Sequence, residues 1–78
     1  MRNNLKSAIE QLVEEIIETE KVSFRKPLRE IGLDSLTYTE LLVQIEDNWG
    51  LELDYEFAAR LKNLNQLIAY LEGKLNDT

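Results

Sequence analysis

The spacing of apolar residues constrains this chain more than any other feature. Leu5, Ala8, Ile9, Leu12, Val13, Ile16 and Ile17 recur at intervals of three and four, which gathers them on one side of a helix. Glu10, Glu14, Glu15 and Glu18 take the wet side. The pattern predicts a first helix from about Asn4 to Glu20, with Asn3 or Asn4 able to cap its start. The same period in Tyr38, Leu41, Leu42, Ile45 and Trp49 predicts a helix from about Ser35 to Trp49, stopped by Gly50. A last stripe, Leu64, Leu67, Ile68, Leu71 and Leu75, opens after Asn63, its expected cap. Each stripe needs a partner to bury against. In 78 residues the economical solution is one helical bundle, a single domain over residues 1–78.

The segments between the stripes are of two kinds. Residues 21–34 lack a helical period, Pro27 forbids a helix interior and Gly32 favours a turn. Val22, Phe24, Leu28, Ile31 and Leu33 are spread along this stretch, so it reads as a long loop pinned to the helices by apolar side chains. Loops of this length in small domains are usually functional. Leu51, Leu53 and Tyr55 alternate with acids, but a lone strand has no partner here. A short helix around Glu56 to Arg60 is the better expectation. The fold class is therefore all-α: a small four-helix bundle, three helices long and one short, with a long loop between the first and second.

Composition removes whole classes of function. The chain has neither cysteine nor histidine, so it lacks thiolate nucleophiles, disulfides and the commonest general base and metal ligand. A self-contained hydrolase or metalloenzyme is not expected. The net charge of −6 repels phosphate backbones and attracts basic partners. The helix expected from Ser35 carries no Lys or Arg, which sets aside a helix-turn-helix DNA binder. No apolar run reaches membrane-spanning length and no leader pattern opens the chain, so the cytoplasm is the expected location.

Charge is also unevenly placed. Lys21, Arg25, Lys26 and Arg29 form a basic run without an acid. From Ile31 to Ala59 the chain has seven acids and no base: Asp34, Glu40, Glu46, Asp47, Glu52, Asp54 and Glu56. Glu40, Val43 and Asp47 share one helical face, with an apolar spot between acids. Such a face is either simply solvated or a docking surface for basic partners. Solvated helices usually mix signs for mutual support, and this one does not. The acids at Glu52, Asp54 and Glu56 repel one another, a strain that divalent cations would relieve.

Gly32-Leu33-Asp34-Ser35-Leu36 stands where the loop meets the second helix. A helix start exposes unpaired N–H groups and partial positive charge, which suit an anion. Ser35 has no histidine to activate it, so it reads better as an acceptor modified by another enzyme than as a nucleophile. The plainer reading is capping by Asp-Ser, or a Thr37–Glu40 capping box. Tyr38, one turn from Ser35, is a core residue or a contact for whatever Ser35 carries. Trp49 is expected in the core.

The run Pro27-Leu28-Arg29-Glu30-Ile31-Gly32-Leu33-Asp34-Ser35-Leu36 resembles the phosphopantetheine attachment site of acyl carrier proteins. Glu40-Leu41-Leu42-Val43, Ile45-Glu46-Asp47 and Trp49 resemble that family's second helix, and Leu61 with Leu64 through Leu71 its fourth. The resemblance runs from about Leu5 to Leu75. It implies a 4'-phosphopantetheine arm, delivered from coenzyme A by a phosphopantetheinyl transferase onto Ser35, with Asp34 and Leu36 beside it. It implies a carrier rather than an enzyme, one that shuttles thioester-bound acyl groups between acyl-loading and acyl-processing enzymes. Glu40, Val43, Glu46 and Asp47, with Asp34, match positions that basic patches on such partners read. Carriers of this size usually act as monomers.

Thr37, Tyr38, Thr39, Leu53-Asp54, Lys62-Asn63 and the basic residues Arg25, Lys26 and Arg29 depart from the usual fatty-acid-synthesis pattern. They point toward polyketide, hybrid or peptide-type biosynthesis, and Leu33 points to the acyl rather than the aminoacyl branch. The main rival is an unmodified acidic docking adaptor in which Ser35 is only a cap. Acid–base catalysis by Asp34 and Glu40 is the second, without a substrate pocket to support it.

Overall fold

The computed structural model describes residues 3–19 and 22–76, without the side chains of Asn3 and Asn4. The expected Asn cap and residues Glu20 and Lys21 lie outside the described part. Four α-helices follow in order: α1 (Asn3–Ile17), α2 (Ser35–Trp49), α3 (Tyr55–Ala58) and α4 (Leu64–Asn76), with a 3-10 turn at Leu28–Ile31 before α2. No strand occurs among the described residues. This is the expected all-α bundle of three long helices and one short.

The apolar stripes meet as their spacing requires. Leu5, Ile9 and Val13 of α1, Tyr38, Leu41, Leu42 and Ile45 of α2, and Leu64, Leu67 and Leu71 of α4 are buried in one core. Fully burying such a side chain contributes about 1.5–3 kcal/mol, less the entropy of ordering it. No buried side-chain polar atom among the described residues lacks a hydrogen-bond partner. Trp49 differs from expectation. It is half-buried, packing against the core from the last position of α2, where it lines a shallow pocket with Ala8 and Leu12 of α1.

Helix ends explain where the pattern held and where it failed. Asp34 caps α2, and Gly50 closes it in the left-handed conformation at φ 63°. The Leu51 N–H then reaches back to the Glu46 carbonyl at 3.2 Å, the geometry of a Schellman ending. α1 stops at Ile17, short of the expected Glu20. Glu18 there takes φ 54° and Thr19 N–H donates to the Glu14 carbonyl at 3.2 Å. The ending is the same, but a glutamate occupies the place glycine usually marks.

The long loop is fixed from two sides. Phe24, Leu28 and Leu33 are buried, while Val22 and Ile31 pack against the core. Its backbone is sewn to the α3–α4 connection and to the start of α4: Leu28 N–H donates to the Lys62 carbonyl at 3.0 Å and Asn65 N–H to the Phe24 carbonyl at 3.1 Å. Pro27 opens the 3-10 turn, and Gly32 ends it at φ 96°, a conformation glycine adopts without steric cost. Asn63 caps α4 as expected, accepting from Gln66 N–H at 2.9 Å. Gln66 answers by accepting from Lys62 N–H at 2.8 Å.

Candidate functional site

The loop delivers Ser35 to the first position of α2, one residue after the cap. Asp34 Oδ1 accepts the Thr37 N–H at 2.9 Å. That backbone bond, seconded by the Thr37 side chain, holds the Asp34 carboxyl below the usual carboxylate range. The Thr39 hydroxyl is donated back to the Ser35 carbonyl at 2.8 Å. The capping work is thus done by Asp34, and Thr37 lies within the first turn rather than at a capping-box start. The Ser35 side chain is exposed, and its hydroxyl has no hydrogen-bond partner among the described residues. The cap of α2 is therefore Asp34 and not Ser35.

Ser35 sits at the edge of an open groove of about 790 Å³ between the loop, α2 and α3. Leu28, Leu33, Tyr38 and Leu42 are the buried residues of its lining. Arg29, Arg60 and Lys62 bring cations to it, and Glu30 and Asp34 bring carboxylates. Tyr38, left between core and contact by its position, is both: it is buried, and it lines the groove. Its hydroxyl donates to the Ala58 carbonyl at 2.9 Å. Burial pushes its phenol up to about 12, so it remains a donor at any physiological pH.

The short α3 is held by bonds that residue spacing does not announce. It begins at Tyr55 and ends at Ala58, rather than running from Glu56 to Arg60, because Asp54 caps it by accepting Phe57 N–H at 3.1 Å. Glu46 accepts from Tyr55 Oη at 2.6 Å with one oxygen and from Leu53 N–H at 2.8 Å with the other. These bonds hold the Glu46 carboxyl below its usual range, the tyrosine bond foremost. The same bond pushes the Tyr55 phenol up to about 12. Asp54 N–H donates to Tyr70 Oη of α4 at 3.0 Å.

The remaining expected docking residues share one face of α2. Glu40, Val43 and Asp47 are exposed, and Leu36 joins them at 83% exposure. Half-buried Glu46 stands apart from that face, with both oxygens turned toward the start of α3. Among the described residues, no three Asp or Glu side chains are grouped so as to hold a metal ion. No helix of the described residues is long and apolar enough to cross a membrane.

Ser35 thus stands exposed at a helix start, beside a capping aspartate and a half-apolar groove. The family model described as "Phosphopantetheine attachment site" matches residues 7–71. The chain is 31% identical over 75 residues to "Acyl carrier protein 3" of Ralstonia nicotianae, covering 94% of this chain and 83% of that protein. It is 34% identical over 65 residues to an acyl carrier protein of Rhodococcus erythropolis, covering 80% and 71%. An acyl carrier protein of Nitratidesulfovibrio vulgaris is 34% identical over 47 residues, covering 60% of this chain and 62% of that protein. No solved structure matches the chain. The chain belongs to the phosphopantetheine-binding acyl carrier family, whose members are carriers and not catalysts.

Proposed function

We propose that this chain carries acyl groups on a 4'-phosphopantetheine arm attached to the Oγ of Ser35. The observation that carries the reading is the division of labour in the first turn of α2. Asp34 caps the helix, Thr39 bonds back to the turn, and Ser35 is left exposed. The residues fit the group. The hydroxyl offers the ester oxygen, and the helix start offers N–H groups and partial positive charge to a phosphodiester. When bound, the arm supplies the thiol that a chain without cysteine lacks. Asp34 holds the turn in register while a phosphopantetheinyl transferase works on its neighbour, and Leu36 presents apolar surface beside it.

In this reading the face formed by Leu36, Glu40, Val43 and Asp47 meets partners with basic patches around an apolar contact. Two acids flanking an exposed apolar residue favour such a surface on grounds of charge complementarity. Glu46 serves it indirectly, by fixing α3 against α2. The protein acts as a monomer, as one domain over residues 1–78, in the cytoplasm. The departures at Thr37, Tyr38, Thr39 and Leu53-Asp54, with the basic Arg25, Lys26 and Arg29, favour a specialised polyketide, hybrid or peptide-type pathway over housekeeping fatty-acid synthesis.

Incubation with coenzyme A and a broad-specificity phosphopantetheinyl transferase, read by intact mass, tests the reading. The native chain is expected to gain one phosphopantetheine. A folded Ser35→Ala chain is expected to gain none. A native chain that stays unmodified would return the protein to the class of acidic docking adaptors.

A further inference from the structure

We infer that the groove beside Ser35 selects acyl cargo whose far end bears an anion, a carboxylate in the first instance. The inference rests on the carrier reading, because the arm at Ser35 is what brings a cargo to this groove. Its ground is a contrast in charge. The chain is acidic overall, and α2 has no cation at all. Yet Arg29, Arg60 and Lys62, three of the nine Lys and Arg residues, line this one groove. They arrive from two distant segments, brought together where Leu28 N–H meets the Lys62 carbonyl. Glu30 and Asp34, the two carboxylates of the lining, leave the three cations in excess by one.

The lining is therefore two-sided in chemistry: buried leucines and Tyr38 suit methylene carbons, and the guanidinium and ammonium groups suit a terminal carboxylate. A plain alkyl chain would gain only the first. A short polar group would gain only the second. A medium-length dicarboxylic acid held at one end as the thioester gains both. Each contact to an exposed cation is weak, so the preference rests on several acting together and fades with salt.

The test compares two thioesters of equal chain length on the full chain, octanoyl and octanedioyl, both loaded from their coenzyme A thioesters. Intact mass first confirms that each is attached. The readout is the rate at which hydroxylamine cleaves the thioester. The octanedioyl form is expected to react roughly fivefold more slowly than the octanoyl form at low salt. The difference is expected to vanish in an Arg29→Gln, Arg60→Gln, Lys62→Gln chain and to persist in Arg29→Lys, Arg60→Lys. Equal rates in the native chain overturn the inference, as does a difference that survives the triple substitution. Loss of protection of both cargoes alike in the triple variant would assign the cations to the phosphodiester of the arm, and so also overturns it. A chain whose mass shows neither cargo attached overturns the carrier reading itself, a failure visible before any rate is taken.

Discussion

Within the first turn of α2, neighbouring hydroxyls meet different fates. Thr39 spends its proton on the Ser35 carbonyl, and Thr37 is tied to Asp34. Ser35 alone of these is placed outward without a described partner. Tyr38 shows the opposite case, a polar atom wholly committed to the fold. Replacing it by Phe leaves the Ala58 carbonyl without its donor. Tyr38→Phe is expected to lower unfolding stability by about 1–2 kcal/mol in a denaturant titration. A change near zero would mean that water replaces the hydroxyl without cost. The serine motif and the acid before it were legible from residue order alone. Which hydroxyl the fold leaves unused was not, because it depends on who accepts from whom within one turn.

At the scale of elements, α2 was legible to the residue. Its cap and its stop, Asp34 and Gly50, are both marked by residue type. The end of α1 was not legible, since Glu18 takes a left-handed conformation that nothing about glutamate advertises. The seat of α3 against its neighbours was also hidden, although its cap Asp54 is marked by residue type. That helix is set by Tyr38 and Glu46, which lie 20 and 9 residues from their partners Ala58 and Tyr55. Trp49 lies at the rim and not within the core because a helical stripe says which side a residue faces and not how deeply the last turn is covered.

The Glu46–Tyr55 bond gives α3 a pH signature at both extremes. The Glu46 carboxyl is held below its ordinary range. Its contribution is therefore present above the ordinary carboxylate range and is lost as the pH falls through the lowered value. The Tyr55 phenol is pushed up to about 12. Its contribution is present below the ordinary tyrosine value of about 10 and is lost as the pH rises through about 12. Thermal melts across pH are expected to show a shallower acid limb for Glu46→Gln and a shallower alkaline limb for Tyr55→Phe. Superimposable limbs for native and variant chains would show that the bond does not hold α3.

For the molecule as a whole, charge separates into an acidic α2 face and a cation-bearing groove. The acidic face was legible because its residues are consecutive turns of one helix. The groove was not, because Arg29 and Lys62 meet only through the backbone bond that joins loop to connection. Reversing two acids of the α2 face, with Glu40→Lys and Asp47→Lys, is expected to lower kcat/KM for arm transfer on the order of tenfold at low salt, with the penalty shrinking as salt rises. Circular dichroism is expected to stay unchanged, since both residues are exposed. Unaltered transfer kinetics would remove this face from the docking surface for the transferase.

The central claim is that one particular oxygen carries the arm, and fragmentation mass spectrometry of the modified chain tests it most directly. After transfer from coenzyme A, the proteolytic peptide spanning Ser35, Thr37, Tyr38 and Thr39 is isolated and the added mass located among its hydroxyls. The account expects the whole of the added mass on Ser35. Added mass on Thr37 or Thr39, or a peptide that never acquires it, would contradict the account.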